Sequence, residues 1–186
     1  MKLLCCLLAL SAAPALAQAP ASRSPDRTAL MEPDTTASPD TALTDAEQRV
    51  ADLIQAEGIH VVHFWAPWCD NSVAELRAGW YELVERHPEV SFAFVTIWND
   101  GESARETMDR YGLPERVLEL TQPDFGPSDD KAQRRRSFLD LPVTWVPTTW
   151  VFRDGGTLAY AFNYGELEMA QLDQAIAGAR SSWPHD

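Results

Sequence analysis

Cysteine is scarce in this chain, three in 186 residues, and two of the three, Cys5 and Cys6, sit in an apolar stretch at the extreme N-terminus. Positive charge is short as well. Fifteen Lys and Arg face 28 Asp and Glu, for a net charge of −13. A nucleic-acid partner wants a basic face, and this composition argues against one. The one basic run, Arg134-Arg135-Arg136, follows Asp129 and Asp130 in a polar stretch and reads as a solvated face. There is also no uninterrupted run of the ~20 apolar residues that a transmembrane helix needs. Metal ligands are sparse: Cys69 and His63 are two candidates without repeated spacing, so neither a metal nor another cofactor is expected.

What is present begins with an export signal. Lys2 supplies a positive charge, Leu3 to Ala13 an apolar run, and Ala15-Leu16-Ala17 a small-residue cleavage site. Residues 1–17 therefore read as a secretory signal peptide, and the mature chain as an exported protein, periplasmic or secreted, with no stable membrane insertion after cleavage. Cleavage would remove Cys5 and Cys6, leaving Cys69 as the sole thiol and no intramolecular disulfide. A solitary cysteine in an oxidising compartment is a reactive thiol or an intermolecular partner, unless it is simply a small buried hydrophobe. Residues 18–42 are rich in Pro, Ala, Ser and Thr, with prolines at 20, 25, 33 and 39. Such a leader cannot bury enough surface to offset its ordering entropy. Residues 43–183 suit one domain.

Within that domain Thr44-Asp45-Ala46-Glu47 predicts a capping box at the start of a helix ending near Gly58. Ile59 to Trp65 reads as a strand, and Asn71 to His87 as one helix with Leu76, Trp80, Leu83 and Val84 at helical spacing. Val90 to Trp98 suits a strand covered on both faces, and Ser103 to Tyr111 a short helix. Thr149 to Arg153 and Thr157 to Phe162, joined by Asp154-Gly155-Gly156, predict a hairpin; a last helix runs from Glu166 to about Arg180. This order gives an α/β three-layer sandwich with a mixed central sheet flanked by helices.

Phe64-Trp65-Ala66-Pro67-Trp68-Cys69 on a strand-to-helix turn, Val146-Pro147-Thr148-Thr149 ahead of the hairpin, and Gly165 before the last helix together resemble the thioredoxin superfamily, in its exported TlpA-like thiol-disulfide oxidoreductase branch. The resemblance spans about residues 43–180. It implies a thioredoxin-like fold in which Pro147 is a cis-proline beside the active-site sulfur, exposing the Val146 backbone to an extended substrate. It also implies a substrate-binding rim formed by Trp68, Val146, Pro147 and Thr148. Three features depart from the family pattern. Ser72 replaces the resolving cysteine, His63 stands where a buried carboxylate is common, and residues 113–143 form an insertion.

By the family's geometry Cys69 opens a helix whose unsatisfied amides favour an anion, so a thiolate nucleophile is expected there. Ser72, one turn on, is expected to direct its hydroxyl at the sulfur, but cannot attack a disulfide. Asp70 opposes a second negative charge and complements the helix dipole. His63 is either a proton relay beneath the cysteine turn or a hydrogen-bonded core residue. In the insertion, Pro123 to Pro127 is turn-rich, and Ser128-Asp129-Asp130 could cap a short helix through Leu139. Two functions from different classes follow. One is a monothiol protein forming mixed disulfides through Cys69 with protein thiols or disulfides, or a small thiol, served by an external reductant, in isomerase-like exchange or small-thiol adduct removal. The other is a redox-inactive binding or chaperone-like module on the same fold.

Overall fold

The computed structural model describes residues 42–123, 130–132, 134–163 and 168–181. The expected signal peptide and nearly all of the leader, the turn after Pro123 with Ser128 and Asp129, Gly165 and the first residues of the last helix lie outside the described residues.

Helix α1 (Asp45–Gln55) starts as its sequence dictates: the Glu47 amide donates to Thr44 Oγ1 at 3.2 Å while the Thr44 amide donates to Glu47 Oε2 at 2.9 Å. Strand β1 (His60–Trp65) follows and is buried along its whole length. The single helix expected over 71–87 is instead two, α2 (Asp70–Arg77) and α3 (Trp80–Arg86). The break falls at Gly79, whose φ of +112° lies in the region that L side chains avoid. Strand β2 (Ser91–Thr96), helix α4 (Arg105–Arg110), strand β3 (Leu118–Thr121) and the two-residue strands β4 (Ser137–Phe138) and β5 (Leu141–Pro142) come next. Strands β6 (Thr148–Arg153) and β7 (Thr157–Asn163) form the expected hairpin around Asp154-Gly155-Gly156, and α5 (Met169–Arg180) closes the chain.

The five long strands make one mixed sheet in the order β3-β2-β1-β6-β7. β1 runs parallel to β2 and β2 to β3, whereas β6 is antiparallel to both β1 and β7. Because side chains alternate across a strand, β1 divides its residues between two cores. Val61 and Trp65 join Phe92, Phe94 and Val151 beneath α3 and α5, which contribute Trp80, Leu83, Leu172 and Ile176. Val62 and Phe64 join Val95, Trp150 and Phe152 on the other face, beneath Ala46, Val50 and Ile54 of α1 and Phe138 and Val143 of the 113–143 segment. The second core is keyed by edge-on ring pairs, Phe64 with Trp150 at 4.5 Å and with Phe138 at 4.9 Å. Such pairs add about 0.5–1.5 kcal/mol each beyond the area they bury. This is a thioredoxin-like three-layer sandwich.

Two parts of the 113–143 segment differ from the sequence expectation. Residues 118–121 form the parallel edge strand β3 of the main sheet. The helix expected through Leu139 gives way to the small β4-β5 ladder, in which Leu139 and Asp140 both take positive φ, 49° and 60°. That is the sign a tight two-residue hairpin turn requires. No described helix is long and apolar enough to cross a membrane.

Candidate functional site

The β1-β6 register builds the site. Phe64 pairs with Thr148, so the chain just before β6 arrives beside the turn that leaves β1. In that turn the Cys69 amide donates to Ala66 O at 3.1 Å, and Cys69 O accepts from the Val73 amide at 3.0 Å, making Cys69 the N-cap residue of α2. Its side chain makes no capping bond. The thiol is partly exposed, packs against the core beneath α1, and donates to Val146 O at 3.6 Å. The Val146–Pro147 peptide is cis. Cys69, Val146 and Pro147 are thus brought together.

The other residues singled out from sequence take more varied places. Ser72 is fully buried, and its hydroxyl accepts from the Ala66 amide at 3.4 Å rather than turning to the sulfur. Its position, inside the first turn of α2 facing the end of β1, directs it at the backbone of the cysteine turn, which corrects the expected contact. Thr148 is also buried and donates to Trp145 O at 2.9 Å, so its hydroxyl braces the bend around Pro147 instead of facing outward. Trp68 is the exposed member, 47% accessible, with its indole N–H donating to Trp98 O at 2.7 Å.

His63 is completely buried, between Trp80 and Phe94 at ring distances of 4.7 and 4.8 Å, in the core opposite the one Cys69 touches. Its Nδ1 is 2.9 Å from Thr149 Oγ1, and its Nε2 is 4.0 Å from the buried Glu75 carboxylate. Desolvation lowers its pKa from 6.5 to about 3. The separation from Glu75 is too long for a hydrogen bond, so burial outweighs attraction and the imidazole is neutral. A neutral ring on the far face, bonded to Thr149 and with no hydrogen bond to Cys69 among the described residues, fits the core-histidine reading of the two that the sequence left open.

The largest departure from the sequence expectation concerns Arg134-Arg135-Arg136. Arg135 turns inward to a nearly buried ion pair with Glu47, Nη1 lying 3.0 and 3.1 Å from the two carboxylate oxygens. The same carboxylate accepts from the Leu139 amide at 3.3 Å. Arg134 stacks over two indoles, its guanidinium carbon 4.9 Å from the Trp68 ring centre and 5.1 Å from that of Trp98. The Trp98 indole donates to Arg135 O at 2.7 Å. Arg136 is exposed, but Arg134 and Arg135 are not a solvated face: they fasten the 113–143 segment to α1 and to the cysteine turn. Beside the arginine run lies a cavity of about 220 Å³ lined by Trp98, Lys131, Arg134, Arg136, Thr144 and Trp145. The partial signal in the sequence was aromatic, Trp68, Trp98 and Trp145 being spaced along segments that only the fold brings together. Among the described residues no group of three or more His, Cys, Asp or Glu side chains is placed to hold a metal ion.

No family model and no curated protein matches the chain. Solved structures do. A DsbF homologue from Corynebacterium diphtheriae superposes with a TM-score of 0.52 at 21% identity, over 69% of this chain and 75% of that one. A thiol:disulfide interchange protein of the thioredoxin family from Chlorobium tepidum gives 0.51 at 15% identity, over 69% and 83%. A putative thiol:disulfide interchange protein DsbE, also from Chlorobium tepidum, gives 0.50 at 16% identity, over 70% and 84%. At these identities what is shared is the thioredoxin fold.

Proposed function

We propose that this chain is an exported thioredoxin-like monothiol protein that forms mixed disulfides through Cys69. The observation that carries the reading is the placement of one partly exposed sulfur 3.6 Å from the Val146 carbonyl, directly before Pro147. A disulfide laid along this bend meets the sulfur with its neighbouring backbone opposite Val146. The solved structures of similar fold bear the names of thiol:disulfide interchange proteins, which supports exchange chemistry of that general kind. Export follows from the N-terminal signal pattern of residues 1–17.

In the proposed exchange the Cys69 thiolate attacks a disulfide sulfur, the displaced thiolate leaves and is protonated by water, and the mixed disulfide stays on Cys69. With Ser72 in place of a second sulfur, release needs a thiol of the substrate or one from solution. Isomerisation or removal of a small-thiol adduct fits that requirement; net reduction needs an external reductant. Trp68, Val146, Pro147 and the backbone of Thr148 form the proposed substrate rim, with Ser72 supporting the turn from below.

The test is to incubate the reduced protein with a disulfide-bonded model peptide, quench with acid and read the adduct by mass spectrometry. An adduct on Cys69 that is absent from Cys69→Ser supports exchange. A second reading, a redox-inactive binding module, is favoured by the S–H contact to Val146 O and by the buried hydroxyl at 72. An inert thiol together with undiminished peptide binding in Cys69→Ser would establish that reading instead.

A further inference from the structure

Trp98 holds a backbone that its side chain disfavours. Its φ of +59° lies in the left-handed region, and its bulky ring is buried, with 4% accessible. For such a residue this conformation is an outlier that persists only where the surroundings over-determine it. The end of β2 shows what the conformation does. The Gln122 amide donates to Thr96 O at 2.8 Å and the Ile97 amide donates to Trp65 O at 3.0 Å, so the strand's polar groups alternate between the β3 side and the β1 side. Continued alternation would aim the Trp98 carbonyl toward β3. The left-handed backbone turns it instead to the cysteine turn, where it accepts the Trp68 indole N–H at 2.7 Å.

We infer that Trp98 is a positioning residue for exchange at Cys69: its carbonyl fixes the Trp68 indole, and the 113–143 segment fixes Trp98. The inference rests on the mixed-disulfide reading above and deepens it by assigning what sets a preference for a peptide disulfide over a small one. Three observations carry it. The backbone at position 98 would by itself favour glycine or asparagine. What the indole adds is two ties to one segment, its N–H donating to Arg135 O at 2.7 Å and its ring lying 5.1 Å from the Arg134 guanidinium carbon. Trp68, 47% accessible and next to Cys69 in sequence, would be held only by its own stack with Arg134 if its one polar atom were not anchored. Trp98 also belongs to the core beneath α1 that the Cys69 side chain touches, so the residue that anchors the exposed ring is packed with the sulfur.

An indole held in this way is a fixed wall. A disulfide with polypeptide on both sides of the S–S bond must lie against that wall to reach the sulfur, and a surface already ordered removes the cost of ordering it on binding. A disulfide with two-carbon arms reaches the sulfur without using the wall. The covalent step is the same in both cases, attack by the Cys69 thiolate with departure of the other thiolate. Trp98 touches neither reactant and acts only through the orientation of Trp68.

The test compares rates of adduct formation on Cys69 by a disulfide-bonded model peptide and by bis(2-hydroxyethyl) disulfide, in the parent, Trp98→Gly and Trp98→Phe. In parallel, solvent exchange of the Trp68 indole N–H is followed by heteronuclear NMR, its resonance assigned by its loss in Trp68→Phe. In the parent this N–H is expected to exchange more slowly than that of free tryptophan. Trp98→Gly cuts both ties and lets the backbone leave the left-handed region, so Trp68 exchange quickens and the peptide rate falls about tenfold relative to the small disulfide. Trp98→Phe keeps a ring beneath Arg134 and is expected to lose only about threefold. Equal slowing of both probes marks a merely structural residue and overturns the inference, as does an unchanged ratio; the mixed-disulfide reading stands in either case. A Trp68 N–H that exchanges in the parent as fast as free tryptophan overturns it without any variant, which keeps the test decisive should Trp98→Gly fail to fold. No adduct from either probe in the parent overturns the mixed-disulfide reading and this inference with it.

Discussion

A sulfur at position 69 and a hydroxyl at position 72 divide the chemistry unequally. Ser72 is buried against the backbone of the turn, so it shapes the platform and leaves reaction to Cys69 alone. Restoring a sulfur tests that division. Ser72→Cys is expected to let the Cys69 adduct resolve internally, giving faster reduction of a model disulfide than in the parent protein, where every adduct must wait for a thiol from solution. An insulin-reduction assay reads the difference. His63 has a separate, purely structural signature. Its folded pKa of about 3 lies below the unfolded 6.5, so the unfolded chain binds the extra proton between those values. Its contribution is fully present above about pH 6.5 and is lost as pH falls toward 3, at no more than about 1.4 kcal/mol per pH unit. The buried Glu75 carboxyl lies 4.0 Å from its Nε2. Urea unfolding of the parent and of His63→Phe across that window is expected to show a shallower acid decline in the variant.

At the scale of elements, the sequence was most readable where local chemistry acts alone. The Thr44–Glu47 capping box, the alternation-free strand after Val90 and the Asp154-Gly155-Gly156 turn each form where their residues say they should. Thr44→Ala is expected to cost about 1 kcal/mol through loss of the cap, read as a shift in denaturation midpoint. The unbroken helix expected from 71 to 87 failed because apolar spacing continues through Gly79 while the backbone does not. Gly79→Ala meets only ordinary contacts, Glu82 at 3.5 Å and Met169 at 3.6 Å, so its penalty comes from the positive φ and is expected to exceed about 1 kcal/mol. The β4-β5 turn was illegible for the opposite reason. Leu139-Asp140 lacks the Asn or Gly that normally announces positive φ, and the turn is imposed from outside by the Glu47 carboxylate on the Leu139 amide. Strand β3, four residues long and half-buried, carries too little period to be told from loop.

For the whole molecule, the layer order followed from the element order, but the wall of the site did not. It depends on contacts between residues far apart in the chain, such as Trp68 with Trp98 and Glu47 with Arg135, which no local pattern encodes. The latter pair makes a global prediction. Glu47→Ala removes the cap partner of Thr44, the acceptor for Leu139 and the counter-charge of Arg135 together, and breaking a buried pair of this kind typically costs about 3–5 kcal/mol. Glu47→Gln keeps an acceptor oxygen for only one of the two amides and is expected to lose less than Glu47→Ala, while both variants slow adduct formation on Cys69 by loosening Arg134 from its indoles. Chemical denaturation and the adduct assay measure the two effects independently.

That shared carboxylate also limits how the protein can be remodelled. Trimming residues 130–143 to a short connector would strand an acid beneath the opening turn of α1, so the rim is no detachable loop. Grafting it onto another scaffold of this fold would require carrying a glutamate from ninety residues upstream; lineages could vary the rim only if both ends changed in step.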